Sequence, residues 1–90
     1  MYIVYILYSA KYDRYYVGHT DDLKFRLQRH NNGKVRSTKA YLPWEHKYSE
    51  QFTTRGEAVT RERELKRRKS RKYLEELIDH ALSAESRRRD

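Results

Sequence analysis

No cysteine occurs in the 90 residues, which removes disulfides, thiolate metal ligands and a cysteine nucleophile together. Proline appears once and glycine three times, and neither clusters in a way that marks a linker. No apolar run approaches the roughly 20 residues that a membrane span needs. The apolar start, Met1 to Tyr8, is too short for a signal h-region and follows no basic stretch. Acid is scarce too: 13 Asp and Glu stand against 21 Lys and Arg, a net charge of +8. These absences leave one domain with a thin core, expected in a reducing, cytoplasmic setting and off the membrane.

What is present is basic and rich in tyrosine. From Arg61 to Lys72 basic residues outnumber acids eight to two. Such a block repels itself unless phosphates relieve it, so the partner expected is nucleic acid. Six of the nine tyrosines fall within the first sixteen residues. That end therefore carries most of the phenolic chemistry available.

Tyr2 to Tyr8 is aromatic, aliphatic or β-branched at every position, which predicts a central strand covered on both faces. Ser9 to Arg14 is polar and turns the chain, and Tyr15 to Val17 completes a hairpin ending at Gly18. Asp21 and Asp22 suit the start of a helix, and Asn31-Asn32-Gly33 its end. Lys34 to Pro43 is expected to be a mobile basic loop, followed by a strand over His46 to Phe52. Thr54 and Glu57 have capping-box spacing, so a second helix should run to about Arg68. Ser70 can cap a third helix with Tyr73, Leu74, Leu77, Ile78, Ala81 and Leu82 as its apolar stripe. The expected fold is a small α/β domain, a three-stranded antiparallel sheet flanked by helices in the order β-β-α-β-α-α. Residues 1–82 should form this single domain, with residues 83–90 a charged, disordered tail.

Two charges break the expected apolar stripes. In the first helix Leu23, Leu27 and His30 share one face, and Arg26 flanks it one turn before His30. Taken alone, Arg26 either snorkels outward or is aimed into a cleft. In the second helix Glu62 interrupts the face of Ala58 and Leu65. It either pairs with a neighbouring arginine or binds a cation.

Ile3-Val4-Tyr5 and Tyr16-Val17-Gly18, with tyrosines eleven positions apart, resemble the signature of the GIY-YIG nucleases, isoleucine replacing the first glycine. Asp22-Leu23-x-x-Arg26-Leu27-x-x-His30 resembles the helix bearing that family's arginine, and Glu57-Ala58-x-x-x-Glu62-x-x-Leu65 the helix bearing its metal-binding glutamate. Asn31-Asn32-Gly33-Lys34, Ser37-Thr38-Lys39 and Pro43-Trp44 are similar to segments of small stand-alone bacterial members.

The resemblance implies an endonuclease that hydrolyses DNA phosphodiester bonds with one divalent ion, Mg²⁺ or Mn²⁺, in DNA repair or processing. It implies Tyr16 as general base, Arg26 on the scissile phosphate and Glu62 on the metal. Tyr5 would position the water or the other phenol, and His30 would contact phosphate or relay a proton. A free phenol ionises near about 10, so a tyrosine base needs positive charge beside it. Lys34, Arg36, Lys39, Arg63, Lys66 and Arg67 would hold the nucleic acid.

Two departures stand out: His19 follows the second motif where some relatives have lysine, and no asparagine follows the second helix, Ser70 being the nearest polar residue. With no appended reading domain expected, cutting would be structure-selective or directed by a protein partner. Two other readings compete: an inactive nucleic-acid-binding module of the same fold, and a protein-interaction domain using the Tyr41 to Phe52 surface.

Overall fold

Alternation along the first strand decides which helix goes on which face. In β1 (Tyr2–Ser9), Val4 and Ile6 point to one side of the sheet, Tyr5 and Leu7 to the other, and all four are fully buried. A strand so covered must be central, and the strand order is β2-β1-β3 with both pairings antiparallel. β2 (Arg14–Thr20) and β3 (Glu45–Phe52) are the two edges. The computed structural model describes the backbone of residues 1–68 and 70–89, and side chains for residues 1–68 and 70–83.

The Val4 and Ile6 side is closed by α2 (Arg55–Arg68) and α3 (Arg71–Arg89), which contribute Ala58, Leu65, Leu74 and Ile78. Full burial of each large aliphatic side chain here contributes about 1.5–3 kcal/mol. The opposite side is closed by α1 (Leu23–Asn31), through Leu23 and Leu27, and by Trp44. The charged stripes of α1 and α2 thus lie on opposite faces of the sheet. They communicate around β2, because an edge strand leaves its outer side open.

The helix ends follow from sequence chemistry. Asp22 accepts the Phe25 amide at 3.0 Å and starts α1. Gly33, at φ 73°, ends it: its amide reaches the His30 carbonyl, and that of Lys34 the Arg29 carbonyl. Thr54 and Glu57 exchange the two bonds of a capping box, and Ser70 caps α3 through the Tyr73 amide.

The segment after α1, expected as a mobile loop, is tied down. It carries a 3₁₀ turn, η1 (Lys39–Tyr41), and Thr38 just before it is fully buried. The Trp44 indole N–H donates to the Thr38 carbonyl, while the Asn31 side chain holds both the amide and the carbonyl of Trp44. The tail expected to be disordered over 83–90 continues the backbone of α3 to Arg89, and its side chains from residue 84 on lie outside those described.

Candidate active site

Tyr5 and Gly18 are direct cross-strand partners, so the Tyr5 ring lies over the glycine, on the face that Tyr16 shares two residues earlier. A Cβ at position 18 would stand 2.6 Å from the Tyr5 oxygen and 3.0 Å from the Tyr16 ring. The glycine of the second motif is therefore space for the tyrosine of the first. Tyr16 lies 6.3 Å from Tyr5, 5.0 Å from His30 and 6.2 Å from Trp44, centroid to centroid.

The polar chain behind Tyr5 runs through His30 to Thr38. The Thr38 hydroxyl donates to the Val35 carbonyl, so it accepts from His30 Nδ1–H at 2.8 Å. His30 Nε2 is then left as an acceptor and takes the Tyr5 hydroxyl proton at 2.9 Å. Burial pushes the Tyr5 phenol up to about 12, and burial with the Arg26 charge brings His30 down to about 4. Both groups are neutral at pH 7, and Tyr5 is a held proton donor. The His30 ring is 0% exposed, so the phosphate contact expected of it is closed and its link to Tyr5 remains.

The Arg26 guanidinium faces the Tyr5 and Tyr16 hydroxyls, and Tyr5 foremost raises its pKa. Its Nε–H is buried without a partner. Arg26 also lines a cavity of about 360 Å³ with His19, Thr20, Asp21 and Arg55. An unpartnered arginine N–H at a cationic cavity is suited to an anion.

From the other side of β2, Glu62 reaches the same end of the sheet. One carboxylate oxygen is 2.9 Å from His19 Nδ1, the other 3.3 Å from Lys66 Nζ, and the group is 17% exposed. The Lys66 ammonium in turn stands 5.8 Å from the Tyr16 ring centroid. Among the described residues no three His, Cys, Asp or Glu side chains converge as a metal cage. A Mg²⁺-type ion does not need one, since it retains waters and phosphate oxygens and binds through one or two carboxylates. Glu62 offers the hard carboxylate oxygens such an ion takes, both engaged in this structure by His19 and Lys66.

Lys34, Arg36, Lys39, Arg63, Lys66 and Arg67 are all exposed. The run that begins at Arg61 is less uniform than its sequence implied. Arg61 turns inward and is bound by Glu50, Glu64 and Tyr73, and Arg71 is held by Asp13 and Glu75. These two arginines fasten α2 and α3 to the strands. Sequence reasoning missed Thr38 as the orienting group of His30. It noted His19 only as a departure, although that residue holds Glu62.

Charging His30 would put a proton on the buried nitrogen that faces the Tyr5 hydroxyl, which predicts an acid-sensitive fold. Its folded pKa lies below the ordinary value of 6.5, so the unfolded chain binds more protons between about 4 and 6.5. Stability is full above that window and falls as the pH drops through it, by on the order of 3 kcal/mol. His46, whose pKa is also lowered by shielding, acts in the same direction. Urea unfolding from pH 4 to 7 should therefore fall less steeply for His30→Gln than for the wild type.

Residues 1–74 match the model of the GIY-YIG catalytic domain. A UPF0213 protein of Streptococcus pneumoniae serotype 4 is 42% identical over 72 residues, covering 76% of this chain and 73% of its own. UPF0213 protein YazA of Bacillus subtilis strain 168 is 38% identical over 72 residues, with the same coverage. A UPF0213 protein of Staphylococcus epidermidis is 44% identical over 52 residues, 57% of this chain and 63% of its own. No solved structure matches the chain. With its tyrosine pair stacked over the motif glycine, the chain belongs to the GIY-YIG family and has that family's nuclease-type fold.

Proposed function

We propose that this domain hydrolyses phosphodiester bonds in DNA with a divalent ion, Mg²⁺ or Mn²⁺, and that cutting is selected by DNA structure or by a protein partner. The observation that carries this reading is Arg26, which lies beside the Tyr5 and Tyr16 hydroxyls and lines the cavity, its buried Nε–H without a protein partner. A scissile phosphate in that cavity would accept from Arg26, leaving its phosphorus beside the phenols. Tyr5 cannot be the base, because its proton is committed to His30 and its phenol is pushed up to about 12.

Tyr16 is then the proton acceptor for the attacking water. The positive charges of Arg26 and Lys66 stand beside it. The water oxygen bonds to phosphorus as the P–O bond opposite it breaks. His30 acts through Tyr5 and is a positioning residue. Glu62, steadied by His19, would hold the divalent ion, whose charge would stabilise the leaving oxygen. A cytoplasmic role in DNA repair or processing accords with such chemistry.

The test is cleavage of labelled branched and linear DNA with Mg²⁺ or Mn²⁺, wild type beside Glu62→Gln. Binding has its own expectation. Replacing Lys34, Arg36 or Arg63 with alanine should weaken binding to all sequences alike and reduce the log K–log[salt] slope by about 1 each. A slope unchanged across these variants would remove the exposed cations from the interface.

A further inference from the structure

One cluster beside the active site is unused by the mechanism. Tyr12, at the tip of the β1–β2 hairpin, is 44% exposed, and its ring meets Tyr41 of η1 at right angles, 5.6 Å between centroids. The Arg14 guanidinium covers the Tyr41 ring at 4.3 Å, and the Lys11 ammonium stands 5.5 Å from that of Tyr12. Lys39, which opens η1, is exposed.

The position of this cluster is fixed by the strand. Arg14 and Tyr16 are two residues apart on β2 and therefore on one sheet face, about 7 Å along it. Tyr41 packs on the same apolar cluster as Tyr16 and Trp44. The acid of the hairpin tip is turned away. Asp13, at φ 54°, gives its carboxylate to the Tyr8 hydroxyl and to Arg71 of α3. What faces outward is the Tyr12 ring with Lys11 beside it, next to a Tyr41 ring covered by Arg14 and followed along η1 by the exposed Lys39.

A phenol face in a basic, aromatic cluster suits a nucleobase whose own face is free and whose phosphates lie nearby. A paired base inside a duplex has both faces stacked and cannot use it. We propose that Tyr12, buttressed by Tyr41, is a stacking platform for an unpaired base of the DNA, with Lys11, Arg14 and Lys39 holding the adjoining phosphates. This rests on the nuclease reading and adds its substrate class: DNA with a single-stranded stretch beside the cut.

The experiment measures fluorescence anisotropy of the full chain, without divalent metal and at low salt, on a labelled single strand and on a blunt duplex of equal length. Tyr12→Leu should weaken the single strand about 5- to 100-fold, the loss of one base–aromatic stack. It should leave the duplex unchanged, and Tyr12→Phe should match the wild type. A merely structural role for the ring would lower the melting temperature of Tyr12→Leu without changing strand preference. Equal losses on both DNAs, or none on the single strand, would overturn the platform.

A second measurement needs no substitution. A single strand carrying 5-bromouracil should photo-crosslink to the peptide containing Tyr12, and crosslinks confined to other peptides would also overturn the proposal. The two readings fail differently. If the wild type binds no DNA, the nuclease reading falls and the platform with it. If the wild type cuts DNA through Glu62 while Tyr12→Leu keeps its single-strand affinity, the platform alone falls.

Discussion

Glu62→Gln should cut DNA about 100- to 1000-fold more slowly than the wild type, or not measurably, while binding the same DNA with unchanged affinity. The substitution preserves shape and leaves an oxygen to accept from His19, but removes the charge that would hold a divalent ion. Tyr16→Phe should have an effect of the same order for a separate reason. It deletes the phenol and keeps the ring, so the contacts with Tyr5, His30 and Trp44 persist and the fold should hold. Cleavage by both variants should be measured beside their affinities. Binding that falls as far as cutting would assign the two residues to the interface and refute their chemical roles. Wild-type protein that binds but never cuts, whatever the metal, would leave an inactive binding module.

Gly18→Ala should be among the most damaging single-methyl additions in the chain. The new carbon would stand 2.6 Å from the Tyr5 oxygen and 2.8 Å from the ring carbon that bears it, and Tyr5 cannot retreat. It is fully buried, and its hydroxyl is tied to His30. Either β2 shifts or the Tyr5–His30–Thr38 chain breaks. The cost should be about 2–3 kcal/mol or more, and a domain this size would melt roughly 10 °C lower or worse. Activity should be lost even below the new melting temperature, because Tyr5 is displaced from Arg26. Gly56→Ala is the control: a Cβ there meets nothing within 4 Å, so stability should hold or rise. Equal melting temperatures for Gly18→Ala and wild type would refute the packing argument.

Much of this fold was legible because local signals agreed with one another. The all-apolar run of β1 announced a central strand, Thr54 and Glu57 announced a helix start, and Gly33 a helix end. Arg26 and His30 were visible as violations of an apolar stripe, which is how a polar site on a helix shows itself. What stayed hidden depended on tertiary contact. Periodicity cannot tell which sheet face a helix covers, so the placement of α1 and α2 on opposite sides had no local signal. Thr38 sat in a polar stretch that read as loop, and only the return of Trp44 onto Asn31 buries it. Arg61 was counted with its basic neighbours because charge adds along a sequence while side chains diverge around a helix. Its inward turn toward Glu50, eleven residues back, has no local signature.

The span of the bonds that orient the site has a consequence for synthesis. The Tyr5 phenol is oriented by a histidine 25 residues later, and the carboxylate of Glu62 by one 43 residues earlier. Every such tie closes a large loop, so none of them forms early at low entropic cost. A chain emerging from the ribosome carries the tyrosines first and the glutamate last. An incomplete or nicked polypeptide would hold the right side chains and still lack their alignment. Alignment of the site arrives only with the finished fold.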